Sequence, residues 1–307
     1  MGQYTLRRLL QMIPVVFGTT FLIFAMVWAL PGDPFAGKCG DRPCPPSYIE
    51  AQVEKYNLDD PLLVQYGKYM VNLVQGDLGE TFRGRPVTEE IANALPATLK
   101  LTTMAIIIEV VLGITAGVLA GLRRGSFVDN FVLITTLVVV SIPVFVIGYL
   151  AQYIFGVQLG WFPPTVGVGA PISDLILPAF VLAALSLAYV ARLTRTQLAE
   201  NMRADYVRTA TAKGLPRNQV VRHALRNSLI PVITFIGADF GALMGGAVVT
   251  EGIFNINGIG GLVFDSIQSR EGLLVTATIT FLVLVFLLVN LIVDLLYGVL
   301  DPRIRYE

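Results

Sequence analysis

Six stretches of the chain are apolar for about the length a helix needs to cross a bilayer, running approximately over residues 9–30, 99–122, 131–155, 175–193, 229–250 and 273–296. A spanning helix takes about 20 such residues, because the hydrocarbon core is ~30 Å thick. The runs are continuous rather than alternating, which points to helices and away from a barrel. Composition agrees: 54% of the 307 residues are apolar and 14% are charged. A soluble domain has roughly 45–50% and about 25%. The expected fold is an all-α polytopic membrane protein. Residues 1–30 begin as a signal peptide would, with Arg7 and Arg8 before an apolar run. No small-residue cleavage site follows and the run exceeds a signal core, so the first span is expected to be retained.

Basic residues set the direction of the spans. Arg7 and Arg8 precede the first, Arg123 and Arg124 separate the second and third, and Arg303 and Arg305 lie in the tail. Arg192, Arg195, Arg203, Arg208, Lys213, Arg217, Arg222 and Arg226 lie between the fourth and fifth. The short loops on the other side carry only Arg270. Both termini and the long basic loop are therefore expected to be cytoplasmic. The formal net charge is zero, so whole-chain charge points to no nucleic acid.

Gly113, Gly117 and Gly121 recur every four residues in the second span, as do Gly237, Gly241 and Gly245 in the fifth. Such stripes let helix backbones approach closely in lipid, within one subunit or between two. Pro143 and Pro178 fall inside spans and predict kinks.

Residues 31–98 form an outward loop long enough for a small folded cap. Helical composition covers 50–57 and 61–75, with Gly76, Gly79, Gly84 and Pro86 as breakers. Cys39 and Cys44 lie six residues apart inclusive, in Cys-Gly-Asp-Arg-Pro-Cys. On an outward face they are disulfide candidates; free thiols and a metal half-site are the alternatives, the last lacking further ligands nearby.

No Gly-x-x-x-x-Gly-Lys-Ser/Thr run occurs, so the chain has no phosphate-binding loop of that type. The single histidine, His223, has no evident nucleophile or carboxylate partner in the sequence. No catalytic residues, metal or cofactor are expected, and energy for transport must come from elsewhere. Charges inside spans are costly, roughly 2.5–3.5 kcal/mol for a central Asp, Lys or Arg on insertion scales. Glu109 and Asp239 fall near the middles of the second and fifth spans. They are candidates for a translocation path, the alternative being bonds to backbone or neighbouring helices. Two acids without an intramembrane base make a poor proton relay.

The cytoplasmic loop holds a short helix candidate with Asp205 near its start and Gly214 and Pro216 as terminators. A second short helix is expected over about 217–227. A charged helix pair between two spans exceeds what a connector requires, which makes it a candidate docking surface.

The run Asp205-Tyr-Val-Arg-Thr-Ala-Thr-Ala-Lys-Gly-Leu215, followed by His223-Ala-Leu-Arg-Asn-Ser-Leu-Ile-Pro231, resembles the cytoplasmic signature of binding-protein-dependent permeases. More narrowly it is similar to the B-type subunit of dipeptide and oligopeptide importers. The likeness continues through Pro31-Gly-Asp-Pro34, Gly76-Asp-Leu-Gly79 and Ser141-Ile-Pro143, then Gly245-Gly-Ala-Val-Val-Thr-Glu251 and Asp294-Leu-Leu-Tyr-Gly-Val-Leu-Asp-Pro-Arg303.

The resemblance implies the type I importer permease fold of the ATP-binding-cassette class. That is a first segment at 1–30, an extracytoplasmic cap at 31–98 and a five-helix core at 99–307 with a coupling loop at 194–228. It implies a coupling helix over Asp205, Tyr206, Val207, Arg208, Thr209, Ala210, Thr211, Ala212, Lys213 and Gly214, seated in a groove of the ATPase. The family's Glu-Ala-Ala-x-x-x-Gly pattern falls on Arg208, Thr209, Ala210 and Gly214, with Arg208 in place of the Glu. Implied partners are a second homologous permease subunit, two cytoplasmic ATPase domains, an extracytoplasmic peptide-binding protein and the lipid of a prokaryotic cell membrane. Nickel, haem and glutathione are alternative cargoes. An ion-coupled secondary transporter is the remote alternative, opposed by the absence of an evident internal repeat.

Overall fold

In a computed structural model of the protein, residues 2–28 and 44–300 are described, and they form eleven helices with no strand among them. Helix α1 (Gly2–Trp28) is followed by two short helices, α2 (Pro46–Tyr56) and α3 (Leu62–Val74). Each of the short pair begins behind a proline, where the missing N–H costs nothing. Helix α4 (Val87–Leu122) is one long element carrying a π-helical turn at Glu109–Gly113. The bent pair α5 (Phe127–Ser141) and α6 (Val144–Gln158) precedes α7 (Ile172–Asn201). The chain then forms α8 (Asp205–Ala212), α9 (Arg217–Phe254), α10 (Ile259–Gln268) and α11 (Gly272–Leu300).

Five of these helices, α1, α4, α7, α9 and α11, are long and apolar enough to cross a membrane, and the bent α5–α6 pair meets the same requirement when its two arms are taken together. Helix α7 is the most enclosed and packs against α4, α5, α6 and α9. The core where they meet includes Leu101, Leu175, Leu182, Leu243 and Phe254. A second cluster, with Val87, Ile91, Met244 and Ile259, joins α4, α9, α10 and α11. Large apolar side chains also cover the outside, among them Phe131, Ile134 and Val138 on α5. Water disfavours such a surface and lipid accepts it.

The small helices lie against α1 and α11. Tyr66 of α3 shares a 2.8 Å hydrogen bond with Thr20 of α1, and the Tyr69 hydroxyl donates to Thr280 of α11 at 2.9 Å. Burial pushes the Tyr69 phenol up to about 12, so it stays a donor. These helices match the expectation for 50–57 and 61–75. Cys44 lies just ahead of α2, whereas Cys39 lies outside the described residues.

Two expectations are corrected. The third span is not a merely kinked helix but turns by 102° between α5 and α6. Pro143 brings no N–H and its ring crowds the preceding residue out of the helical region, so Ile142 is extended at φ −105° and ψ 128°. Pro178, by contrast, sits inside α7 without ending it. The separate helix expected over 217–227 also does not exist. It is the first part of α9, which runs 38 residues straight through Pro231. The carbonyl that Pro231 leaves unpaired belongs to Asn227, an exposed position where water can satisfy it.

Candidate functional site

Helix α8 stands at the end of the bundle, following α7 and preceding α9. Val207 is its buried residue and fits against Leu198 of α7 and Val220 and Ala224 of α9. Tyr206 donates to the Asn201 side chain at 2.7 Å, tying α8 to the end of α7. At the other end, Leu215 N–H bonds back to Ala210 C=O at 3.2 Å, and Gly214 sits at φ +80°. That is the backbone arrangement in which glycine closes a helix most cheaply.

Apart from Val207, α8 faces outward. Asp205, Arg208, Thr209, Thr211, Ala212, Lys213 and Gly214 are exposed, and Ala210 is half-buried. Arg208 reaches Asp205 at 3.6 Å, with both side chains largely in solvent, so this pair does little to hold the helix. An open groove beside α8 is lined by Tyr206, Thr209, Lys213, His223 and Arg226. His223 is exposed, as its lack of partners in the sequence suggested.

The two acids of the spans come together. Glu109 lies on the π-helical turn of α4 and is completely buried. Its carboxyl group faces that of Asp239 on α9 closely enough for the two to interact, and the Ser186 hydroxyl of α7 lies beside Asp239. Neither oxygen of Glu109, nor Oδ2 of Asp239, has a hydrogen-bond partner of proper geometry among the described residues. Glu109 is fully enclosed, and Asp239 and Ser186 are half-buried, with Asp239 Oδ2 itself shielded from solvent.

Both glycine stripes pack within the chain, with one exception. A Cβ on Gly117 would meet Thr194 Cβ at 2.5 Å and the Ala191 carbonyl at 2.6 Å, so α4 and α7 approach to backbone distance there. Gly113 and Gly121 also lie on α7, and Gly237 and Gly241 on α11. Gly245 faces open space.

Three polar clamps tie distant segments together. The buried Glu251 carboxylate accepts from Thr98 at 2.7 Å and from Gly261 N–H at 2.9 Å, while Thr98 accepts from Ile259 N–H at 2.8 Å. The start of α10 is thereby fastened to α4 and α9, with the carboxylate at a helix N-terminus. Gln152 of α6 donates to the Ile253 and Pro164 carbonyls at 2.9 and 2.8 Å. Arg195 of α7 pairs with Asp129 of α5. Glu251 did lie in a conspicuous glycine-rich run, but nothing local in the sequence names Thr98 as its partner.

Comparison with known proteins identifies the family. Residues 113–306 match the family described as "Binding-protein-dependent transport system inner membrane component", and residues 1–102 match the N-terminal membrane component of the same systems. The chain is 37% identical to a dipeptide transport system permease protein of Alkalihalophilus pseudofirmus, over 99% of both chains. It is 40% identical to a di/tripeptide transport system permease protein of Pseudomonas aeruginosa, over the full length of both. It is 39% identical to a glutathione transport system permease protein of Escherichia coli, also over the full length of both. With family matches on both parts and relatives aligned end to end, the chain belongs to the inner membrane components of binding-protein-dependent transport systems.

Proposed function

We propose that this chain is the permease subunit of an ATP-driven importer that carries small peptides inward through the membrane. The observation that carries the reading is α8, a short, outward-facing helix seated by Val207 between α7 and α9. A push on α8 is delivered to the two helices that flank it. These pack on each other and on α4, so they can tilt together between inward-open and outward-open states. The chain has no phosphate-binding loop of its own, so two partner ATPase domains supply the force.

In this reading a second, homologous permease completes the path, and a solute-binding protein delivers cargo to the end that carries α2, α3 and α10. The excess of Lys and Arg around α8 and the termini favours a cytoplasmic location for that end. The relatives named for dipeptide and di/tripeptide transport support peptide cargo. Glutathione is a second reading, supported by a relative of nearly equal identity.

Coexpression with the second permease, the ATPases and the binding protein tests this. The intact assembly is expected to copurify through this chain and to drive ATP-dependent uptake of dialanine into proteoliposomes. Assembly without uptake of any peptide would remove the function; purification of the chain without an ATPase would remove the class.

A further inference from the structure

Two carboxyl groups that face each other inside a helix bundle are costly to bury, and the cost falls when a cation joins them. Glu109 and Asp239 are in that position, and none of the charged groups acting on Glu109 is basic. Glu109 is completely buried with both oxygens unpartnered among the described residues, so the group is unfinished as it stands. Three helices meet at it, through Glu109 of α4 and the half-buried Asp239 of α9 and Ser186 of α7. The π-helical turn that starts at Glu109 inserts an irregularity into α4 at this level, a feature frequent at functional positions.

We propose that Asp239 and Ser186, backed by Glu109, form a cation subsite that takes the terminal ammonium group of a peptide in transit. This inference rests on the importer function proposed above. Dipeptides, tripeptides and glutathione share one cationic feature, a free α-ammonium group. A subsite that holds it needs acceptors only, which is what a carboxylate pair and a hydroxyl oxygen offer. Asp239 and Ser186 touch the cargo, and Glu109 is a positioning residue that adds negative potential from behind.

The test uses the complete importer in proteoliposomes. Uptake of dialanine is compared with uptake of N-acetyl-dialanine, each supplied at the concentration that gives equal occupancy of the binding protein. The wild type is expected to favour the free amine by at least about tenfold, as befits a charged hydrogen bond. In Asp239→Asn that preference should fall toward one, and in Asp239→Glu it should largely return. Glu109→Gln should lower it in part. An amide carries no charge and is cheaper to bury than a carboxylate, so Asp239→Asn and Glu109→Gln are not expected to lose the fold. A wild-type preference near one overturns the subsite, as does an unchanged preference in Asp239→Asn. Absence of ATP-dependent uptake of either cargo by the wild type removes the importer function itself, a separable outcome.

Discussion

Arg195 of α7 grips the Asp129 carboxylate of α5 with two hydrogen bonds, Nε to Oδ1 and Nη2 to Oδ2, each 2.8 Å long. The Asp129 side chain is 1% exposed and that of Arg195 17%. Asp129 also accepts from Gly125 N–H at 2.8 Å, so one carboxylate fixes the α4–α5 turn and ties α5 to α7.

Removing one partner of a buried pair strands the other, at a cost of about 3–5 kcal/mol. Arg195→Leu should therefore lower the thermal midpoint in nanodiscs substantially. Arg195→Lys should lower it less, since it keeps the charge and loses the fork. The double change Asp129→Ala with Arg195→Leu should be more stable than Arg195→Leu alone. Equal stability of Arg195→Leu and the wild type would contradict the structural role.

The glycines divide by what they touch. Gly117→Ala pushes a methyl against Thr194 Cβ and the Ala191 carbonyl of α7, and overpacking of this kind costs about 1–3 kcal/mol. Gly245→Ala meets nothing within 4 Å in this chain and should leave its stability unchanged. Thermal unfolding of the two variants side by side checks the contrast. Loss of assembly in Gly245→Ala at unchanged stability would locate the second permease against this face of α9.

The clamp on α10 predicts a local effect. Thr98→Val removes the acceptor of Ile259 N–H and a donor to Glu251, leaving buried groups unpaired at about 1–3 kcal/mol each. Amide exchange at the start of α10 should quicken in Thr98→Val, while exchange in the middle of α7 should not. Unchanged exchange in α10 would mean that the apolar packing of Ile259 and Val263 holds the helix without the clamp.

Much of this arrangement is legible in the residues themselves. Continuous apolar runs mark the spans because the lipid requirement acts on composition alone, and the Gly214 terminator marks the end of α8 because left-handed backbone selects glycine. Interactions between distant segments are different. The meeting of Glu109 with Asp239, and of Thr98 with Glu251, depends on helix rotation and register, which no local pattern encodes. Nor does hydropathy separate a kink from a turn of 102°, since the residues on both sides of Pro143 are apolar.

Topology is checked independently of function. Both cysteines are expected on the outer face and the termini inside. After reduction, an impermeant thiol reagent should label Cys39 and Cys44 in intact cells, and labelling without reductant should be weak if the two are paired. Labelling confined to broken cells would reverse the orientation, and α8 would then face the wrong side to meet an ATPase.

In the proposed importer, α8 transmits ATPase motion to α7 and α9. Gly214 has φ +80°, where a β-branched residue is strained by roughly 1–2 kcal/mol, although an added Cβ there meets no neighbouring atom within 4 Å. Arg208 is exposed on α8, so its charge reversal should disturb a partner rather than the fold. The most direct measurement is the number of peptides taken up per ATP hydrolysed in proteoliposomes, for the wild type, Gly214→Val and Arg208→Glu at matched amounts in the membrane. A clear fall in that ratio, or loss of the copurifying ATPase, is expected in both variants. Wild-type ratios with a full complement of ATPase in both would contradict it.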